Sequence, residues 1–475
     1  MLNTNGYNSD ANGADVEVEF CLVQQTPTGL STNGINRVNI RDLGITANYY
    51  NESTIEGNIK PNTIWDPTKY MNIWVGDFYS RISSDLYQVL GYAQFPVRSG
   101  LDGLDQDDSP NTDGVIIDYR CFGSSQYASG SYITNFDLGR TTTHEVGHYL
   151  GLRHVNGDNS SCTVDATDSY NDFCLDTPAQ TTLRNNCNVQ YDSCPNDPGL
   201  DNFTNYMDYP LDICLNKFTN DQKARIRAVL LNSPRRKTLA TSGACNARPS
   251  NITKDGALKV SINSNECNQN FTASINLMNT GNVAITNAFI EYLINGTVVS
   301  NYTFTGNIAV NGTQNISLNI PYRSFDENEV LFRLVSVNGS EDDNTFNNTA
   351  ILYVFPSINV TSNQALLLFY SDGYLQEMSY NVVDNLGTVI ANGTLPATTR
   401  NSTQQVVLNN LVTGRCYTVS LTDSDGDGLM GWPVYFLKPP YASESDILRV
   451  LYPMTSLTQF KFTVNATLEI GRAHV

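Results

Sequence analysis

The most constraining stretch of this 475-residue sequence is His144-Glu145-Val146-Gly147-His148-Tyr149-Leu150-Gly151-Leu152-Arg153-His154. On a helix, residues four apart share a face, so His144 and His148 can direct their imidazoles at one metal ion. Glu145 sits beside the first of them, too near in sequence to ligate with it and well placed to hold a water and take its proton. Gly151 lets the chain break from the helix, because glycine reaches positive φ without steric cost, and the turn returns His154 as a third ligand. Three protein ligands leave one tetrahedral position open, which marks a catalytic rather than a structural zinc site. Zn2+ there would polarise a scissile carbonyl and lower the pKa of water to about 7. Glu145 would act as general base and then return the proton to the leaving amine. The chain has four histidines, three in this motif and the fourth at His474.

Around the motif, residues 1–245 mix two periodicities. Val16 to Val23 alternates as a strand does, and Tyr70 to Val75 and Gly114 to Tyr119 are short apolar runs suited to strands. Thr141 to Leu152 reads as a helix capped by threonine and ended by Gly151. A second helix opens after Phe218, with Thr219 or Asn220 as N-cap and Ile226, Val229 and Leu230 on one face. Five of the ten cysteines, Cys162, Cys174, Cys187, Cys194 and Cys214, crowd one loop-rich region without CxxC spacing. They read as disulfide candidates, hence an oxidising compartment. Five is odd, so one pairs elsewhere or stays free, with Cys21 and Cys121 as possible partners.

After Cys245 β-branched runs alternate with Asn295-Gly296, Asn311-Gly312 and Asn338-Gly339 turns, the texture of β-sandwiches. The expected division is 1–245 for the catalytic domain, 246–355 for an Ig-like β-sandwich and 356–468 for a second all-β sandwich module. The closing Glu469 to Val475 reads as a sequencing artefact. Asp423, Asp425 and Asp427 resemble the opening of a calcium loop, but Val434 stands where its closing glutamate belongs. Sequons such as Asn251, Asn270, Asn295, Asn301 and Asn392 follow from an Asn- and Thr-rich composition. A net charge of −19 disfavours nucleic acid and anionic membranes and is compatible with calcium. No apolar run reaches the roughly 18 residues of a membrane span, and Met1 to Gly6 is not a signal peptide.

The extended histidine motif resembles the signature of the metzincin clan. Gly91 to Pro96, Gly139 to Thr143, Asp176 to Gln180, and Asn205-Tyr206-Met207-Asp208-Tyr209 with Cys214 and Phe218-Thr219 resemble one family within it, the pappalysins, over roughly residues 15–235. The resemblance implies an α+β metzincin-type catalytic domain: a twisted mixed sheet, a backing helix, the zinc-binding helix and a Met-turn. It implies that Met207 forms the hydrophobic floor under the imidazoles without ligating, and that Tyr209 stabilises the oxyanion, as a phenol O–H can. Asp212 is the one acid available to favour a basic residue after the scissile bond. Family members also bind calcium after the third histidine, where Asp165, Asp168, Asp172, Asp176 and Thr177 offer oxygens. The expected protein is a secreted zinc endopeptidase acting on protein or peptide substrates, with signal peptide and propeptide outside this chain. The alternative is an adhesin or glycan-binding protein, whose C-terminal modules take a glycan or cell-surface ligand and whose protease domain is secondary.

Overall fold

The computed structural model describes residues 13–45, 52–78, 89–104, 109–158, 161–183, 186–187, 191–264, 270–321, 328–354, 358–371, 373–400, 402–423, 434–439, 447–451 and 457–464. The chain is mostly β-sheet with few helices, and it divides into two compact units, Met1–Arg248 and Pro249–Val475. No helix among the described residues is long and apolar enough to cross a membrane.

In the first unit a three-stranded sheet runs β1 (Ile73–Gly76), β3 (Val115–Asp118), β2 (Gly91–Ala93) in spatial order. Here β1 pairs parallel to β3, with Ile73 opposite Val115, and β2 pairs antiparallel, with Gly91 opposite Ile117. All four residues of β3 are buried, as a central strand with covered faces requires. A helical stretch spans residues 52–63, wound as π-helix over Ile55–Ile59, and buries Ile55 and Ile59. Helix α1 (Arg140–Tyr149) carries the first two motif histidines, and helix α2 (Asn220–Asn232) follows. Their common core holds Tyr149, Leu150, Leu152, Val155, Met207, Phe218 and Ile226.

Two local expectations are corrected. Residues 16–23 form no strand. Cys21 is bonded to Cys245, the Gln24 N–H donates to the Ala244 carbonyl, and Phe20 and Leu22 are exposed, so alternation finds no sheet face to bury. Helix α1 has no threonine cap either: Gly139 occupies the cap position at φ 77° with no side-chain bond. The Arg140 N–H, one of the orphan donors of a helix start, donates instead to Asp212 Oδ2 at 3.3 Å. Thr219 does cap α2. Its hydroxyl accepts from the Gln222 N–H while the Gln222 side chain accepts from the Thr219 N–H, a complete capping box.

Among the described residues the second unit holds four sheets around two cores. A three-stranded sheet (Thr313–Pro321, Asn270–Asn279, Gly256–Ser264) and a four-stranded one (Thr349–Val354, Asn328–Val337, Ile285–Ile294, Thr297–Ile308) share the core of Ala273, Ile275, Ile290, Val330 and Phe332. A five-stranded sheet (Ile358–Val360, Leu457–Val464, Cys416–Asp423, Met378–Asp384, Val389–Thr394) and a further four-stranded one (Thr403–Leu408, Ala365–Tyr370, Val434–Leu437, Ile447–Leu451) share that of Leu367, Phe369, Val419, Phe436 and Phe462. Asn295 and Gly296 both take positive φ in the two-residue turn joining Ile285–Ile294 to Thr297–Ile308, as Asn-Gly hairpins do.

Candidate metal centre and active site

Helix α1 places His144 and His148 one turn apart, and Gly151, at φ 90°, turns the chain so that His154 joins them. Their Nε2 atoms lie 3.1, 3.1 and 3.2 Å apart. Four-coordinate zinc with Zn–N bonds of about 2.0–2.1 Å separates its nitrogens by about 3.3 Å. Among the described residues these three are the only His, Cys, Asp or Glu trio that converges in this way.

The outer nitrogens decide what such a cluster can hold. His144 Nδ1 lies 2.6 Å from the Tyr206 carbonyl and His148 Nδ1 lies 2.8 Å from the Leu152 carbonyl. Carbonyls only accept, so both Nδ1 atoms carry the proton. His154 Nδ1 lies 2.5 Å from Asp158 Oδ1, a carboxylate–histidine pair. Burial and the neighbouring histidines hold His144 well below the usual imidazole range, and burial lowers His148 to about 3, so neither charges near neutral pH. The bare Nε2 lone pairs of His144 and His148 therefore face one point together with Nε2 of His154. That arrangement is repulsive alone and fits a cation.

Glu145 follows on the same helix and is buried, and burial pushes its carboxyl up to about 8. Tyr209 is half-exposed, its ring 4.9 Å from that of His154 and 5.5 Å from that of His144. Burial first, then the Glu145 charge, push its phenol up to about 12, so it remains an O–H donor. Met207 is fully buried beneath the helix, close enough that a side chain at Gly147 would run into its sulfur. Asn205 Oδ1 accepts from the Met207 N–H and from Gln222 Nε2, wiring this turn to the capping box of α2.

Other expected residues make contacts of their own. Asp212 is buried, and its Oδ2 accepts from the Leu138 and Arg140 N–H groups at 2.7 and 3.3 Å. It anchors the start of α1. The disulfides among described cysteines include Cys162–Cys194, Cys187–Cys214 and Cys21–Cys245. Cys174 is no disulfide partner: it is a buried free thiol, its sulfur turned to the Asp172 carbonyl at 3.7 Å, and Cys121 is likewise free. Asp165 is partly exposed and accepts from Thr167 and Ser169, whereas Asp168 and Asp172 are buried. Thr177 donates to Asp172 Oδ1, and Asp176 Oδ2 accepts from the Asp221 N–H. Asp423 ends its strand, and Asp425 and Asp427 lie outside the described residues.

Sequence reasoning missed the three outer-nitrogen partners. Two are backbone carbonyls and leave no residue-type signal. Asp158 did leave one, lying four residues after His154 in an Asn156-Gly157-Asp158 turn.

Residues 54–231 match the family model described as "Pregnancy-associated plasma protein-A", peptidase M43. This chain belongs to that family, the pappalysins. It is 46% identical over 209 residues to an extracellular metalloprotease of Arthroderma otae, covering 44% of this chain and 62% of that protein. An extracellular metalloprotease of Arthroderma benhamiae is 45% identical over 149 residues, which are 31% of this chain and 47% of the relative. The chain thus spans about half the length of the curated relatives it matches. Among solved structures, mature mirolysin of Tannerella forsythia in complex with a cleaved peptide is 33% identical at a TM-score of 0.39, over 49% of this chain and 79% of that one. Within this pappalysin the matched segment contains all three converging histidines, Glu145, Met207 and Tyr209.

Proposed function

We propose that this pappalysin is a secreted zinc endopeptidase that hydrolyses internal peptide bonds of proteins. The observation that carries the reading is the convergence of three Nε2 atoms at 3.1–3.2 Å, with the buried Glu145 next to His144 on the same helix. His144, His148 and His154 would hold the zinc, which when bound supplies Lewis acidity toward the scissile carbonyl and toward water. Glu145 takes the proton of the attacking water and delivers it to the leaving amine. Tyr209 donates its phenolic hydrogen to the oxyanion as charge develops. Met207 floors the site without ligating. The disulfides Cys21–Cys245, Cys162–Cys194 and Cys187–Cys214, and relatives named as extracellular, support secretion.

The architecture proposed with it is an α+β metzincin-type catalytic domain over residues 1–245 followed by two β-sandwich modules, 246–355 and 356–468. The loop after His154 is proposed to hold structural calcium through Asp168, Asn171 and Asp172. All three are buried, and Asp168 Oδ2, Asn171 Oδ1 and Asp172 Oδ2 meet no hydrogen-bond donor. Buried carboxylate oxygens left unpaired are costly, and a hard cation removes that cost. Calcium is expected to raise the melting temperature, and Asp172→Asn is expected to abolish that shift; an unchanged melting temperature on calcium addition rejects this site.

The enzymatic reading is tested by cleavage of a proteome-derived peptide library before and after zinc removal. Cuts that vanish with chelator and return with zinc are expected. Cleavage indifferent to chelation would refute a metal-dependent mechanism.

A further inference from the structure

The third ligand arrives through the turn Leu150 to His154, and this turn also supplies the Leu152 carbonyl that orients His148. Its own carbonyls stand at a helix C-terminus, where backbone acceptors lack intrahelical partners. Two arginines from elsewhere in the chain reach them. Arg236 Nε donates to the Tyr149 carbonyl at 3.0 Å, and its other nitrogens grip both oxygens of Asp113 at 2.7 and 2.8 Å. Its guanidinium carbon lies 3.5 Å from the centre of the Tyr149 ring. Arg225, on α2, donates to the Gly151 carbonyl through Nε and Nη2 at 3.4 and 3.3 Å, and through Nη2 to the Asp102 carbonyl at 3.2 Å. Both arginines are buried, and Asp113 is fully so.

Cations favour helix C-termini, and guanidinium forks hold geometry better than point charges. Burying two arginines against one helix end is more than packing needs, because apolar side chains fill such space at lower desolvation cost. What the arginines add is direction: each fixes the orientation of one peptide plane in the turn that aims His154. Between them stands Gly151, whose Cβ, were one present, would meet Val229 Cγ2 of α2 at 2.6 Å.

We propose that Arg225 and Arg236 are positioning residues of the metal site, holding the Tyr149–Gly151 turn so that His154 and the Leu152 carbonyl keep the three-nitrogen geometry. The proposal rests on the zinc reading above, and it concerns metal affinity separately from fold stability. The test measures zinc affinity of the full chain by competition with a chromophoric chelator, alongside melting temperature, for Arg225→Met, Arg225→Lys, Arg236→Met and Ser233→Ala. Ser233 is the control: its hydroxyl donates to the Val97 carbonyl at 2.9 Å, so it helps dock the same segment without touching the turn.

Both methionine variants are expected to bind zinc about ten- to a hundredfold more weakly, the range for loss of groups that orient metal ligands. Arg225→Lys is expected to fall between them and the parent, because one ammonium cannot serve Gly151 and Asp102 with the same fork. Ser233→Ala is expected to lower the melting temperature and leave zinc affinity unchanged. Should folded Arg225→Lys and either methionine variant bind zinc as the parent does, the arginines are structural only and the proposal fails. A parent chain that binds no zinc would overturn the functional reading itself.

Discussion

Asp158 carries more of the metal site than its half-exposed position suggests. Its carboxylate fixes the tautomer of His154, the ligand held by a loop instead of a helix, and Arg153 stands 3.7 Å from its other oxygen. Outer partners of this kind raise ligand basicity and orient the ring. Asp158→Ala is therefore expected to weaken zinc binding about ten- to a hundredfold with little loss of melting temperature, read by chelator competition. Unchanged affinity would remove Asp158 from the site. Gly151 makes a different demand. At φ 90°, and with Val229 pressed against it, it has no room for a side chain. Gly151→Ala is expected to destabilise the unit by about 1–3 kcal/mol, from the positive φ alone, and to lose zinc as the turn relaxes. Thermal melts with and without zinc measure both effects.

At the scale of elements, legibility followed the range of the signal. The motif spacing, the runs that became β1 and β3, the Thr219 cap and the Asn295-Gly296 turn are local, and local patterns place them. Residues 16–23 misled because alternation reports a tendency, while the disulfide to Cys245 lies 224 residues away and takes the segment elsewhere. The contacts of Asp212 show the same limit. Its acidity is visible in the sequence, but the two N–H groups that claim its carboxylate lie 72 and 74 residues earlier. The capping box of α2 gives a prediction at this scale. Gln222 bonds both Thr219 and Asn205, so Gln222→Ala removes the cap and unpairs the amide that holds the Met207 turn. A loss of about 1–3 kcal/mol in chemical denaturation is expected, combining cap and buried amide. A loss within about 0.5 kcal/mol, the range of ordinary surface changes, would mean the link carries no weight.

Across the whole molecule, two units with separate cores give stability two sources. In the second unit burial raises Asp342 to about 7, with the Asp255 and Asp343 charges adding to it, although its oxygens accept from the Gly256 and Asn344 N–H groups. A folded-state pKa above the unfolded value favours folding while the group is protonated. That contribution is full below the ordinary carboxylate range and is lost as pH rises through about 7. The melting temperature of Asp342→Asn should therefore rise relative to the parent as pH goes from about 5 to about 8, whereas a difference independent of pH would contradict this assignment.

The central claim joins three histidines and one glutamate in a single hydrolytic centre. It is tested most directly by comparing zinc content and peptide-library cleavage in the parent and in Glu145→Ala. The account predicts equal zinc in both chains, with cleavage in the variant reduced at least about a hundredfold, the scale of a lost general base. A zinc-loaded Glu145→Ala chain that cuts as fast as the parent would contradict it.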